Sequence, residues 1–345
     1  MLFWLGELSF FSWILSYGAE HLSIKFGAKF VGRTLLSIAT TLPEIAIVIN
    51  ASSMGLYNVA IGSGLGSNIL MMTLGLALML IVSTTRLSKM PLKKLDISAF
   101  NTDKIFLLVS AILSAILLID GYNYIDGIIF FGIFIGYILV AFAELKKENN
   151  NRHNYIAKRI QDNNISDFPS SNKFILSFPN LIKNNYDMIK SILAFVIGTV
   201  GILVGANPFI LSLQSFSFDV GISTVILAVI VSPIAGEMPE KISMIILARK
   251  GSAGASIAIA NVLGSKVLNN SLLLGIAVFA AMYHGGFFTV IQNNPILSFQ
   301  MILATVITLL ALVPMFKKSI GIYVGIFFLG LYIMSILIQF IIPFK

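Results

Sequence analysis

Ten apolar runs, most of them about twenty residues long, fix what this chain of 345 residues can fold into. Short connections bearing charge or Gly, Pro and Asn separate them. A helix that crosses a bilayer needs roughly 20 mostly apolar residues, and it satisfies every backbone polar group within itself. The runs lie near 2–24, 31–53, 58–83, 104–119, 125–144, 190–213, 221–248, 255–282, 296–315 and 319–342. The first is interrupted by Glu20 and His21, and the fourth is short. None alternates with the period of a strand, so helices are expected rather than a barrel. Composition agrees: 57% of the residues are apolar and 11% charged, against about 25% charged in an ordinary soluble chain. Mean hydropathy is +0.93. A soluble enzyme is excluded, and the expectation is an all-α polytopic membrane protein of about ten transmembrane helices embedded in a lipid bilayer. The opening MLFWLGELSF has no basic stretch and no small-residue cleavage signal, so no removable signal peptide is expected.

Lys and Arg are retained on the cytoplasmic side of short loops. Of the 23 basic residues, all but Lys241, Lys266 and Lys345 lie in or beside connections that follow an odd-numbered run. The remaining connections carry Asp120, Asp126, Asp219 and His284 and neither Lys nor Arg. That asymmetry predicts both termini outside and residues 145–189 in the cytoplasm, in an integral protein of the cell membrane. The net charge of +8 is then an orientation signal, and no nucleic-acid partner is expected. Cysteine is absent, which removes disulfides and thiolate metal sites.

The polar, Asn-rich segment 145–189 reads as a linker. It divides the chain into halves of five runs each, 1–144 and 190–345, and the halves share a pattern. The first has SIATTLPE at 37–44 and AIGSGLGSNIL at 60–70, within a repeat spanning about 31–83. The second has SPIAGEMPE at 232–240 and AIANVLGSKVL at 258–268, within about 221–282. In each, Pro-Glu precedes Gly-Ser by a similar interval: Glu44 to Ser67 is 23 residues and Glu240 to Ser265 is 25. Five runs is an odd number, so the second half enters the membrane upside down. Inverted repeats of this kind place a substrate site near the midplane, where corresponding segments meet.

Depth supports that placement. Glu44 lies 11 residues after Arg33 and Glu240 lies 9 before Arg249. At 1.5 Å per residue, each carboxylate is about 13 to 17 Å from the cytoplasmic boundary, close to the middle of a core about 30 Å thick. An ionisable group there costs about 2.5 kcal/mol or more to insert, so a compensating charge is expected. Pro43 and Pro239 withhold an N–H from the carbonyls of Ala39 and Ala235. Two acids beside freed backbone oxygens near 39–40 and 235–236 suit a hard divalent cation, which takes six to eight oxygens. Thr40, Thr41, Ser67 and Ser265 add hydroxyls. No His or Cys is near these motifs, which disfavours a soft transition metal.

These blocks resemble the α-repeats of the cation/Ca²⁺ exchanger superfamily, especially the prokaryotic sodium/calcium exchangers. The pattern there is Gly-Thr-Ser-Leu-Pro-Glu followed by Gly-Asn-x-x-Gly-Ser-Asn-x-x-Asn, and the likeness extends over nearly the whole chain. Thr40, Thr41, Pro43, Glu44, Gly66, Ser67 and Asn68 match in the first repeat, and Pro239, Glu240, Gly264 and Ser265 in the second. Gly-Ala pairs at 18–19 and 205–206 lead into the two repeats. The resemblance implies a secondary-active antiporter, not an enzyme, exchanging Ca²⁺ or a related divalent cation for Na⁺ or H⁺ by alternating access, with no cofactor. It implies that Glu44 and Glu240 are the central Ca²⁺ ligands and that the first and sixth helices slide past the core. The broken second, third, seventh and eighth spans are expected to hold the ions.

Departures from the pattern matter as much. Gly236 and Glu237 replace the hydroxyl pair before the second Pro-Glu, and Lys266 replaces the Asn after the second Gly-Ser. Ser63 stands at the leading Asn of the first repeat and Met71 at its last polar position, where the second repeat keeps Asn269. Glu44, Glu237 and Glu240 sum to −3, and Lys266 brings the total to −2, which one Ca²⁺ balances. Lys266 paired with Glu237 would act as an internal counter-cation, favouring proton coupling or an altered sodium stoichiometry. Lys241 adjoins Glu240 but points about 100° away on a helix. The candidate ion-binding residues are thus Glu44, Glu240, Thr40, Thr41, Ser67, Asn68, Gly236, Glu237, Ser265 and Asn269. A proton-coupled or divergent monovalent/divalent cation exchanger that does not use Na⁺ is the alternative. An ion channel and an intramembrane hydrolase with paired acids are the further readings, and neither explains the inverted repeat. The Gly-rich GSGLG at 62–66 lies inside an apolar run with no preceding strand, so it is no nucleotide loop.

Overall fold

The computed structural model describes residues 1–23, 37–161 and 185–341. Lys25, Lys29, Arg33 and the middle of the linker lie outside the described residues, as do the side chains of Glu20, His21 and Pro239. Among the described residues the helices are α1 (Leu2–Ser23), α2 (Ser37–Ser53), α3 (Tyr57–Thr84), α4 (Asn101–Leu117), α5 (Tyr124–Gln161), α6 (Asn185–Val220), α7 (Thr224–Ala248), α8 (Ser252–Gly285), α9 (Pro295–Met315) and α10 (Ile322–Ile341). Helices α3, α4, α5, α6, α8, α9 and α10 are each long and apolar enough to cross a membrane. The protein is an all-α membrane protein.

Three details differ from the sequence reading. The fifth apolar span is Tyr124–Glu144, but the helix does not end with it: α5 continues to Gln161 through the first part of the polar segment. Its Glu, Lys, Arg and Ala residues are good helix formers, and extending an existing helix avoids the cost of nucleation. Helix α2 remains helical through Pro43, and α7 through Pro239, so neither proline breaks its span. Irregularity lies instead in α3 and α8, each of which widens into a π-helical turn, at Met71–Gly75 and Asn269–Leu273. Both turns begin four residues after the serine of Gly-Ser.

Burial separates a core from a rim. In α3 and α8, 83% of the most apolar stretch is buried, against 28% in α5, α6 and α10. The rim helices therefore carry the exposed Ile, Leu, Val and Phe that face lipid. Helices α1 and α6 interlock through glycines. A Cβ on Gly198 would stand 2.5 Å from the Leu15 nitrogen, on Gly201 2.1 Å from the Phe11 ring, and on Gly205 1.8 Å from the Glu7 carboxylate. The partners run in opposite directions along the two helices, so α1 and α6 are antiparallel. Small residues let helix backbones approach this closely in a membrane, where dispersion replaces the hydrophobic effect as the driving force.

Connections group into two sets. Leu95–Asp96 (β1) pairs antiparallel with Ser319–Ile320 (β2), and Lys89 N–H donates to the Arg249 carbonyl at 3.0 Å. This joins the connections α3–α4, α7–α8 and α9–α10, which carry Arg86, Lys89, Lys93, Lys94, Arg249, Lys250, Lys317 and Lys318. Tyr122 and Ile291 exchange backbone hydrogen bonds of 3.1 and 2.9 Å, and Tyr57 Oη lies 3.3 Å from His284 Nδ1. Those contacts join the start of α3 to the end of α8 and the α4–α5 connection to the α8–α9 connection, with Asp120 in the former connection and Asp126 in the first turn of α5.

Candidate functional site

Each Pro-Glu helix reverses into its Gly-Ser helix through a tight turn with a glycine at positive φ, 75° at Gly55 and 84° at Gly251. A Cβ is disfavoured in that backbone conformation, and the short turns bring α2 back against α3 and α7 back against α8. Glu44 on α2, Glu237 and Glu240 on α7, Ser67 and Asn68 on α3, and Ser265, Lys266 and Asn269 on α8 are all buried, none more than 2% exposed.

Two bonded clusters form where α3, α7 and α8 meet. In the first, Lys266 Nζ donates to Ser67 Oγ at 2.6 Å and is ion-paired to Glu237 Oε1. Ser67 Oγ donates to the same Glu237 oxygen, and Asn269 Nδ2 donates to Ser67 Oγ at 2.8 Å. The hydroxyl of Ser67 thus uses its one proton and both lone pairs. In the second, Glu240 Oε1 accepts from Asn261 Nδ2 at 2.8 Å and from Ser265 Oγ at 3.2 Å. Ser37 Oγ on α2 reaches the Asn261 side chain at 3.3 Å and so ties α2 to this cluster. Asn68 Nδ2 donates to Asn270 Oδ1 at 2.6 Å, linking the two π-turn helices a third time. Gly64 against Leu273 and, one turn further along α3, Ser67 against Asn269 run α3 and α8 antiparallel.

Glu44 is different. Both of its oxygens are buried and neither has a hydrogen-bond partner within the protein. Its carboxylate lies over Gly236, where an added Cβ would stand 2.6 Å from Oε1. Gly236 is one turn before Glu240, about 6 Å along the axis. The glycine at that position therefore leaves space for the acid of the opposite repeat. Glu237 Oε2, Asn68 Oδ1 and Asn269 Oδ1 are also buried without a partner. These five carboxylate and amide oxygens would be costly if left so; Asn270 Nδ2 is an unpartnered donor beside them, and Ser52, Ser63, Ser232 and Ser243 have unpartnered hydroxyls elsewhere on the same helices. All five are acceptors, and acceptors are what a hard cation requires. Thr40 and Thr41 donate their hydroxyl protons to the Ser37 carbonyl, at 3.2 and 2.7 Å, which leaves lone pairs on both oxygens.

The candidate residues of the two repeats therefore converge. Lys241, by contrast, makes no bond to the three carboxylates and is 9% exposed. The sequence reading passed over Asn261, Ser37 and Asn270. Asn261 had a signal, because it occupies in the second repeat the leading Asn position that Ser63 fills in the first. The GSGLG stretch is a packing face: a Cβ on Gly66 would stand 1.9 Å from the Val229 carbonyl oxygen on α7, and one on Gly62 3.3 Å from that of Val225. At the start of α3, a cavity of about 320 Å³ is lined by Leu56, Tyr57, Asn58 and Val225 among others, at the end of the molecule poor in Lys and Arg.

The sequence pattern of the sodium/calcium exchanger protein family matches residues 2–143 and 190–341. This chain belongs to that family. It is 26% identical over 321 residues to an uncharacterized membrane protein of Methanocaldococcus jannaschii, covering 92% of this chain and 90% of that one. It is 28% identical over 158 residues to the sodium/calcium exchanger NCL2 of Oryza sativa subsp. japonica, 46% of this chain and 26% of the rice protein. The fold is that of the sodium-calcium exchanger NCX_Mj, with TM-score 0.61, 23% identity and coverage of 97% and 96%. It is also that of the H⁺/Ca²⁺ exchanger CAX, with TM-score 0.74, 17% identity and coverage of 99% and 82%. Family membership makes the protein a membrane cation exchanger, a transporter.

Proposed function

We propose that this exchanger is a secondary antiporter that moves Ca²⁺ or a related divalent cation against Na⁺ or H⁺ by alternating access. The observation that carries the reading is Glu44, a fully buried carboxylate with two unpartnered oxygens, set over Gly236 one turn from Glu240. A divalent cation between the two acids would satisfy Glu44, with Asn68, Thr40 and Thr41 supplying neutral oxygens and Ser265 steadying Glu240. Together the buried charges of Glu44, Glu237, Glu240 and Lys266 sum to −2, the complement of one divalent ion.

In this reading ten spans form two inverted halves, with both termini outside and the 145–189 connection in the cytoplasm of a cell-membrane protein. Antiparallel packing of α1 on α6 and of α3 on α8 supports the inversion. Clustering of the Lys- and Arg-bearing connections apart from those bearing Asp120 and His284 supports the alternation of sides. The interlocked α1–α6 pair is the unit that would slide over the core.

The test is ⁴⁵Ca²⁺ uptake into proteoliposomes under Na⁺, K⁺ and pH gradients imposed one at a time. Uptake against the Ca²⁺ gradient under one imposed counter-gradient, absent in Glu44→Gln, is expected. Wild-type uptake that only dissipates the Ca²⁺ gradient, whatever counter-ion is present, would identify a channel and overturn the reading. Full uptake by Glu44→Gln would overturn the site.

A further inference from the structure

Lys266 occupies a place built for a cation. Its stem crosses from α8, and its ammonium ends between Ser67 Oγ of α3, at 2.6 Å, and Glu237 Oε1 of α7. Lysine is almost never fully buried unless paired, and here it is 1% exposed. The surroundings provide one full negative charge, a hydroxyl held in place by Asn269, and two further oxygens without partners, Glu237 Oε2 and Asn269 Oδ1. That is the donor set of a monovalent-cation site, filled by a tethered ammonium. Because Ser67 spends both lone pairs on Lys266 and Asn269, it belongs to this subsite and not to the ligands of the mobile ion.

We propose that Lys266 is a fixed monovalent cation in a subsite made by Glu237, Ser67 and Asn269, and that it sets the stoichiometry by excluding a mobile ion from that subsite. The inference rests on the exchanger reading and deepens it. With Lys266 in place, Glu44, Glu237 and Glu240 leave −2 for the transported ions to balance. Without it the same pocket carries −3, and one Na⁺, K⁺ or Li⁺ enters, in place of a proton, to restore the balance. Burial makes this demand strict, because an uncompensated charge in a low-dielectric interior is far more costly than one at the surface. The transport cycle therefore carries one monovalent cation fewer than it would with a neutral residue at 266.

A melting experiment tests this without any Ca²⁺. The full-length wild type, Lys266→Asn and the double variant Glu237→Gln/Lys266→Asn are purified in detergent. Each is unfolded by heat in NaCl, KCl or LiCl and, at equal ionic strength, in N-methyl-D-glucamine chloride. Lys266→Asn is expected to gain a rise of several degrees in at least one of the small-cation salts, because a ligand that binds only the folded state stabilises it by mass action. The double variant, again at −2, is expected to show no more response than the wild type. A folded Lys266→Asn that responds as the wild type does overturns the proposal, and so does a double variant that gains the same rise. If Lys266→Asn folds in none of the four salts while the double variant folds, the pair is structural only and the proposal fails. Recovery of its fold by a small cation supports it. An inactive wild type in the uptake assay would overturn the exchanger reading and leave these melting curves interpretable, so the two failures are distinguishable.

Discussion

The two Pro-Glu regions place an acid in corresponding positions and treat it in opposite ways. Around α2, Glu44 has no hydrogen-bond partner in the protein, and the residues four and three positions before it are the threonines Thr40 and Thr41. Around α7, the corresponding residues are Gly236 and Glu237; Glu240 accepts two hydrogen bonds and Glu237 holds its own cation. The first repeat leaves its acid without a partner, whereas in the second Glu237 is paired with Lys266 and Glu240 is hydrogen-bonded but keeps its charge. The difference teaches that corresponding acids need not be equivalent: Glu237 carries its own counter-charge, while Glu44 and Glu240 do not, and of these two only Glu44 lacks every hydrogen bond.

The comparison is tested most severely by removing one acid from each side. Glu237→Gln leaves the Lys266 ammonium buried without its counter-charge, and breaking one partner of a buried pair costs about 3–5 kcal/mol. A large fall in melting temperature and in yield of folded protein is expected. Glu44→Gln removes a buried charge that has no partner, so its melting temperature should equal or exceed that of the wild type. Its Ca²⁺ affinity, measured by ⁴⁵Ca²⁺ binding, should instead fall about a hundredfold, or roughly 3 kcal/mol. If both variants lose stability equally, the distinction between Glu44 and Glu237 is wrong.

Much of this was legible from residue order. Apolar runs of membrane-crossing length gave the helices, the repeated Pro-Glu and Gly-Ser gave the meeting point of α2, α3, α7 and α8, and the count of buried charges anticipated the Lys266–Glu237 pair. The π turns were not legible, because MMTLG and NNSLL share only a hydroxyl at the third position and Leu at the fourth, and an extra residue in a helical turn is decided by packing rather than by propensity. Asn261 escaped because its value depends on which acid it faces, a tertiary fact. The prolines misled in a different way: loss of one N–H suggests a broken span, yet the packed neighbours of α2 and α7 keep both helices continuous.

A substitution that makes the second repeat look like the first should sharpen the contrast further. Gly236→Thr restores the residue found at the equivalent position 40, but its Cβ would stand 2.6 Å from Glu44 Oε1. The carboxylate end must swing away, and such overpacking costs about 1–3 kcal/mol. Ca²⁺ affinity is expected to fall about tenfold or more while the fold persists, because the displaced group is the end of a flexible side chain. Unchanged affinity would mean that Glu44 binds from another rotamer, away from α7.

The smallest effect comes from the pair of residues four positions before the Gly-Ser serines, Ser63 and Asn261. Both are buried, at 1% and 2% exposure. Asn261 Nδ2 donates to Glu240 at 2.8 Å, so Asn261→Ala removes one of the two hydrogen bonds to that buried carboxylate oxygen, while Ser37 Oγ keeps its bond to the backbone carbonyl of residue 261 at 3.2 Å. A loss of about 1–3 kcal/mol is expected, since hydrogen bonds to charged groups lie at the upper end of the range. Ser63 Oγ has no partner within the protein, and Ser63→Ala replaces it with an apolar group of similar size, so its melting temperature should stay the same or rise. The two alanine variants are measured side by side, and their order decides the matter. If Ser63→Ala is the more destabilising, its hydroxyl has a ligand that only the assembled site supplies, and the first repeat is then less bare than its protein contacts make it.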